Sequence, residues 1–136
     1  MVRFMLAILA TVFAALAAVL HVYIFVMESV RWTQPAVWRR FGVPDQATAD
    51  AVKPMAYNQG FYNLFLAVGA IIGLALFWAG GPGTVADVAG RTLVLFTLGS
   101  MVAAALVLIS TGSKYLRAAL LQGTLPLVGF VLFLFA

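Results

Sequence analysis

The chain has 136 residues, 65% of them hydrophobic and 9% charged, and its mean hydropathy is +1.10. A soluble core of this size cannot hide so much apolar surface, so the composition excludes a water-soluble globular enzyme and requires an integral membrane protein. The net charge of +4 lies on basic residues that flank apolar runs. That placement serves topology and anionic lipid headgroups, and it argues against nucleic acid as a partner. There is no cysteine, which removes disulfides, thiol nucleophiles and thiolate metal sites.

Four apolar segments, residues 4–27, 56–79, 92–110 and 116–136, are each long enough to cross a bilayer, which needs roughly 20 residues. The expected fold is all-α: a transmembrane four-helix bundle forming a single integral membrane domain over residues 1–136, with a short interfacial helix in the first loop. Arg3, the apolar run and the small-residue stretch AALAA also resemble a secretory signal peptide. The run continues past that stretch by about nine residues, beyond a usual 7–15-residue signal core, which favours an uncleaved helix.

The first loop contains FGVPDQATADAV. A turn is expected at Gly42 to Pro44, followed by a short helix capped by Asp45, whose side-chain oxygen can accept from an early backbone N–H. Pro54 then interrupts before the second span. The second connection, GGPGTVADVAGR, is a Gly/Pro-rich turn, and the third is the short polar joint TGSKY. Arg31, Arg39, Arg40 and Lys53 in the first connection, with Lys114 and Arg117 at the third, outweigh Arg3 and Arg91 on the other side. The positive-inside rule then places the first loop in the cytoplasm and both chain termini outside the cell (inner or plasma) membrane.

Polar side chains inside the spans are the informative positions, because a spanning helix needs none. In HVYIFVMESVRW, His21 precedes Glu28 by a heptad, and with Ala7 and Ala14 the two form one stripe on a helix of 3.6 residues per turn. Alanine along the stripe marks a face turned to neighbouring helices. His21 and Glu28 are about 10 Å apart along the axis, too far for a direct hydrogen bond.

The second span opens with YNQGFYN, placing Asn58, Gln59, Tyr62 and Asn63 on one arc of roughly 140°, continued by the small residues Gly69, Ala70 and Gly73. The third span offers Gly99, Ser100, Ala103 and Ala104 as close-packing positions. The fourth begins with Lys114 and Arg117 and carries Gln122, whose carbonyl is freed by Pro126 four residues later. If the spans alternate in direction, all these polar ends share one membrane side. A layered polar cavity is then expected there, closed beneath by alanine, glycine and leucine.

HVYIFVMESVRW, followed by FGVPD and NQGFYNLFLAVG, resembles the small membrane family known as domain of unknown function 1304 nearly end to end. The resemblance rests on His21, Glu28 and Trp32, on Phe41 and Gly42, on Asn58, Gln59, Gly60, Tyr62 and Asn63, and less distinctively on Ser113 and Lys114. It implies a four-helix membrane fold and the position of the site, and nothing about chemistry.

His21 has two readings: a proton-transfer group, metal or haem ligand, or a buried interhelical hydrogen bond to Asn63 or Gln122. Glu28 is an acid–base group or an orienting residue, or simply the partner of Arg31 three residues on. One histidine and one distant acid are too few ligands for zinc, so no metal site is assigned, and no cofactor follows from the residues. His21 and Glu28 are the candidate catalytic residues. Asn58, Gln59, Tyr62, Asn63, Lys114 and Gln122 are the candidate ligand-binding ones.

Three function classes follow: a membrane enzyme or receptor for a lipophilic or amphipathic small molecule, a small proton-coupled transporter or channel, and a structural or assembly subunit. The bilayer is a partner in every case, and self-association is left open. A one-sided cavity favours the first class.

Overall fold

The computed structural model describes all residues, 1–136, and contains no strand. Helix α1 covers Val2–Phe25 and passes into a π-helical turn, Val26–Val30; α2 is Pro35–Trp38, followed by a 3-10 turn at Arg39–Phe41. Helix α3 is Gln46–Ala79, α4 is Val85–Ser110, and α5 is Leu116–Phe135 after a 3-10 turn at Ser113–Tyr115. Four stretches, Val2–Val30, Gln46–Ala79, Val85–Ser110 and Ser113–Phe135, are long and apolar enough to cross a membrane. The protein is a multi-pass membrane protein of the all-α class.

Two boundaries differ from the sequence expectation. The segment after Asp45 is no separate helix: it forms the first turns of α3, which runs unbroken through Pro54. Pro54, in the third turn, forgoes one backbone bond to the Asp50 carbonyl, and both residues lie on an exposed face where that loss is mild. The short helix of the first loop is α2 instead. Helix α4 starts at Val85, because Thr84 caps it by accepting from the Asp87 N–H at 3.3 Å.

The chain forms two compact units, Met1–Leu20 with Leu66–Ala136, and His21–Phe65. The first is a four-helix bundle in itself. Phe4 meets Trp78 edge-on at 6.1 Å, and the Trp78 indole N–H donates to Thr11 Oγ1 at 2.9 Å, pairing α1 with α3. A Cβ on Gly73 would lie 2.9 Å from the Val94 nitrogen, and one on Gly129 3.2 Å from the Ala14 nitrogen. Glycine thus sets the approach of α3 to α4 and of α5 to α1. Phe77 packs on Phe133 at 5.3 Å, joining α3 to α5. Spans that follow one another in sequence run antiparallel in this unit, whereas α3 and α5 meet at their C-terminal ends and run parallel.

The close-packed face of α4 is Gly90, Val94, Thr97, Leu98, Met101 and Ala105, all buried. Ala103 and Ala104, expected at close contacts, are exposed instead. Heptad-like spacing from Gly90 selects Val94, Thr97 and Met101 and leaves those alanines on the outer face. At the start of α4 the Asp87 carboxylate accepts from the Gly83 N–H and from Arg91 Nε, both at 2.9 Å. Arg91 Nη1 donates to the Ala136 oxygen at 3.0 Å, tying α4 to the end of α5.

Candidate functional site

The second unit, His21–Phe65, brings the end of α1 against the first half of α3. The buried positions of α3 here and beyond, Ala56, Gly60, Ala67 and Ala70, repeat at spacings of about 3.5 residues. Asn63 occupies the same face and is half-buried. Gly60 is the point of closest approach: a Cβ there would overlap Ser29 Oγ and lie 3.1 Å from the Glu28 Cβ. Ser29 Oγ donates to the Tyr57 carbonyl at 2.8 Å, and Phe25 packs edge-on against Phe61 at 5.1 Å.

The π turn presents this edge. The Arg31 N–H reaches back to the Val26 carbonyl at 2.9 Å, inserting one extra residue into the last turn. Glu28, on that turn, is 8% exposed, and His21 on the preceding helix is 1% exposed. The Glu28 carboxylate accepts from Asn63 Nδ2 at 3.0 Å, and the same amide donates to the Gln59 carbonyl at 3.1 Å. The Asn63 amide hydrogens thus go to Glu28 and to its own helix.

Arg31 does not pair with Glu28. Its Nη2 donates to Gln34 Oε1 at 3.0 Å, and the sole ion pair of the chain is Asp87 with Arg91. The cause is again the π turn, which carries Arg31 out of the face that Glu28 occupies. What holds the buried carboxylate is an amide from the partner helix.

Beside this pair is a shallow, open hollow of about 250 Å³, lined by Glu28, Trp32, Val52, Met55, Ala56 and Gln59. Glu28 is its sole charged side chain. Trp32 is held in place by its indole N–H donating to the Ala49 carbonyl at 3.0 Å and by the Phe41 ring at 5.4 Å. Trp32, Trp38, Ala49 and Ala56 form a small buried cluster, with Phe41, Val43 and Val52 against it. Gly42 closes the 3-10 turn at φ 77°, a left-handed conformation suited to glycine. Asp45 caps α3 through the Thr48 N–H at 2.8 Å, and that bond holds its carboxyl below the usual carboxylate range.

Of the residues expected at the site, the structure brings together Glu28 and Asn63, with the exposed Gln59 on the rim of the hollow. Asn58 and Tyr62 are exposed on α3. The arc drawn from helical rotation is wider than the buried face, so its members divide between Glu28 and the outside. In the other unit, Lys114 is exposed, with its ammonium 4.9 Å from the Tyr115 ring centroid, and Gln122 is half-buried. No three histidine or acidic side chains converge. Trp32, Val52 and Met55 were not singled out as lining residues by sequence; the apolar run Val52, Met55, Ala56 at helical spacing was the available signal.

The family model described as "Protein of unknown function (DUF1304)" matches residues 15–134. No curated protein matches the chain, and neither does any solved structure.

Proposed function

The chain belongs to the DUF1304 family of proteins of unknown function, and we propose that it binds or converts an amphipathic small molecule in the hollow beside Glu28. The single observation behind this reading is a buried carboxylate, held by Asn63, on the wall of an open hollow otherwise lined by Trp32, Val52, Met55, Ala56 and Gln59. One carboxylate and one amide among apolar walls suit a ligand with a hydrogen-bond-donating or cationic head and an apolar body. Glu28 takes the head, Gln59 orients it, and the indole of Trp32 with Val52 and Met55 covers the body. Asn63 acts as a positioning residue through the carboxylate. His21, buried on α1 in the same unit, is the proton-transfer group if the bound molecule is converted.

The hollow faces the cytoplasmic side of the cell membrane in this reading, with both chain termini outside, because the first connection carries Arg31, Arg39, Arg40 and Lys53. Protease accessibility of tags at the two termini checks that orientation.

Native mass spectrometry of the purified protein tests the binding. A small molecule should be retained by wild type and by Ser110→Ala, and lost from Glu28→Ala at unchanged helicity. Equal retention in Glu28→Ala rejects the site. Loss of proteoliposome flux with binding unchanged would replace it with transport.

A further inference from the structure

Arg31, Arg39 and Arg40 are exposed, and none is in an ion pair, the sole pair being Asp87 with Arg91. Each leans on a neutral group. Arg31 donates to Gln34, the Arg39 guanidinium stands 5.2 Å from the Trp38 ring centroid, and Arg40 Nη1 donates to the Tyr23 hydroxyl at 2.9 Å. The last contact differs in kind. Tyr23 lies within the first membrane-spanning stretch and is 47% exposed, so the 3-10 turn Arg39–Phe41 folds Arg40 back onto the outer flank of α1.

A guanidinium on the outer flank of a span is stabilised by an anion nearby. The chain supplies no carboxylate there, and the anion that a bilayer offers near the end of a span is lipid phosphate. Arginine carries five donors in a planar fork that matches phosphate oxygens, and the bond to Tyr23 uses one of them. The phenol oxygen accepts that bond and keeps its own hydrogen to donate. Guanidinium N–H groups and a phenol O–H therefore adjoin on the same exposed surface.

We propose that Arg40 and Tyr23 form a binding site for the phosphodiester headgroup of an anionic phospholipid on the outer flank of α1. Arg40 supplies paired donors to two phosphate oxygens, and the Tyr23 hydroxyl donates to one of them. Arg39, next in sequence, adds positive charge that favours an anionic over a zwitterionic lipid. The site is independent of the hollow beside Glu28.

The test is native mass spectrometry of the full chain, purified in detergent with equal phosphatidylglycerol and phosphatidylcholine. Wild type should retain phosphatidylglycerol preferentially. Arg40→Ala should lose that preference by about tenfold, the size of a charge-assisted paired contact, and Tyr23→Phe should lose part of it. Arg40→Lys, which keeps the charge without the fork, should fall between. Equal retention of the two lipids by wild type overturns the proposal, as does unchanged preference in Arg40→Ala. Displacement of the lipid by millimolar inorganic phosphate would assign the site to free phosphate and overturn the lipid. Should Arg40→Ala fail to fold, an unchanged preference in both Tyr23→Phe and Arg40→Lys rejects it.

Discussion

Asn63 on α3 donates to the Glu28 carboxylate on the π turn at 3.0 Å, joining two helices through the one acid buried in the His21–Phe65 unit. Removing the amide leaves that carboxylate short of a donor. Asn63→Ala should therefore cost about 1–3 kcal/mol of stability, read as a lower unfolding temperature in detergent. Glu28→Gln keeps a hydrogen-bonding partner for the amide and should cost less. A double-mutant cycle with no coupling between the two positions would contradict the contact.

Gly60 sets the distance between those helices. Its Cβ position overlaps Ser29 Oγ, so Gly60→Ala must displace the Ser29 bond to Tyr57 or push α3 outward. We expect a loss of about 1–3 kcal/mol, as for overpacking in a dense interior. Gly81→Ala, where a Cβ would meet nothing nearer than 3.8 Å, is the control and should change little. Thermal unfolding of the two variants compares them directly.

The two buried tryptophans of the first loop should respond differently. Trp32 donates to the Ala49 carbonyl at 3.0 Å, whereas the Trp38 indole N–H is buried with no partner. Trp32→Phe loses a buried hydrogen bond, costing about 0.5–1.5 kcal/mol, while the Ala49 carbonyl keeps its place in the α3 ladder. Trp38→Phe removes an unsatisfied donor and should be closer to neutral. Unfolding midpoints in the reverse order would contradict the placement of the two rings.

Asp45 gives the start of α3 a pH dependence. Its carboxyl is held low by the Thr48 N–H, so the folded state binds the proton less readily than the unfolded chain. The cap therefore contributes fully above the ordinary carboxylate range and is lost as pH falls through the lowered folded value. Amide exchange at residues 46–49 should quicken on acidification in wild type. Asp45→Asn, which keeps a capping acceptor without the titration, should flatten that response. Identical acid profiles for the two would reject it.

The four spans were legible in the sequence because apolar runs of this length have few alternatives, and the stripe from Ala7 and Ala14 to His21 and Glu28 is buried at every position. Starts of helices were less legible. Pro54 reads as an interruption and residues 80–91 as a turn, yet Pro54 lies inside α3 and α4 already begins at Val85. The candidate site is half-visible in the sequence: polar positions within the spans mark Glu28, Gln59 and Asn63, but ideal rotation does not foresee the π turn, which separates Glu28 from Arg31. Nor could it separate the inward Asn63 from the exposed Asn58 and Tyr62, since only packing narrows a polar arc to a face.

Binding of an amphipathic molecule in the hollow beside Glu28 is read directly by photolabelling with a lipophilic amine carrying a diazirine. Labelling should concentrate on Trp32, Val52 and Met55, be competed by the unlabelled amine and be lost in Glu28→Ala. Labelling spread evenly over the outer faces of the helices, and unchanged in that variant, would contradict it.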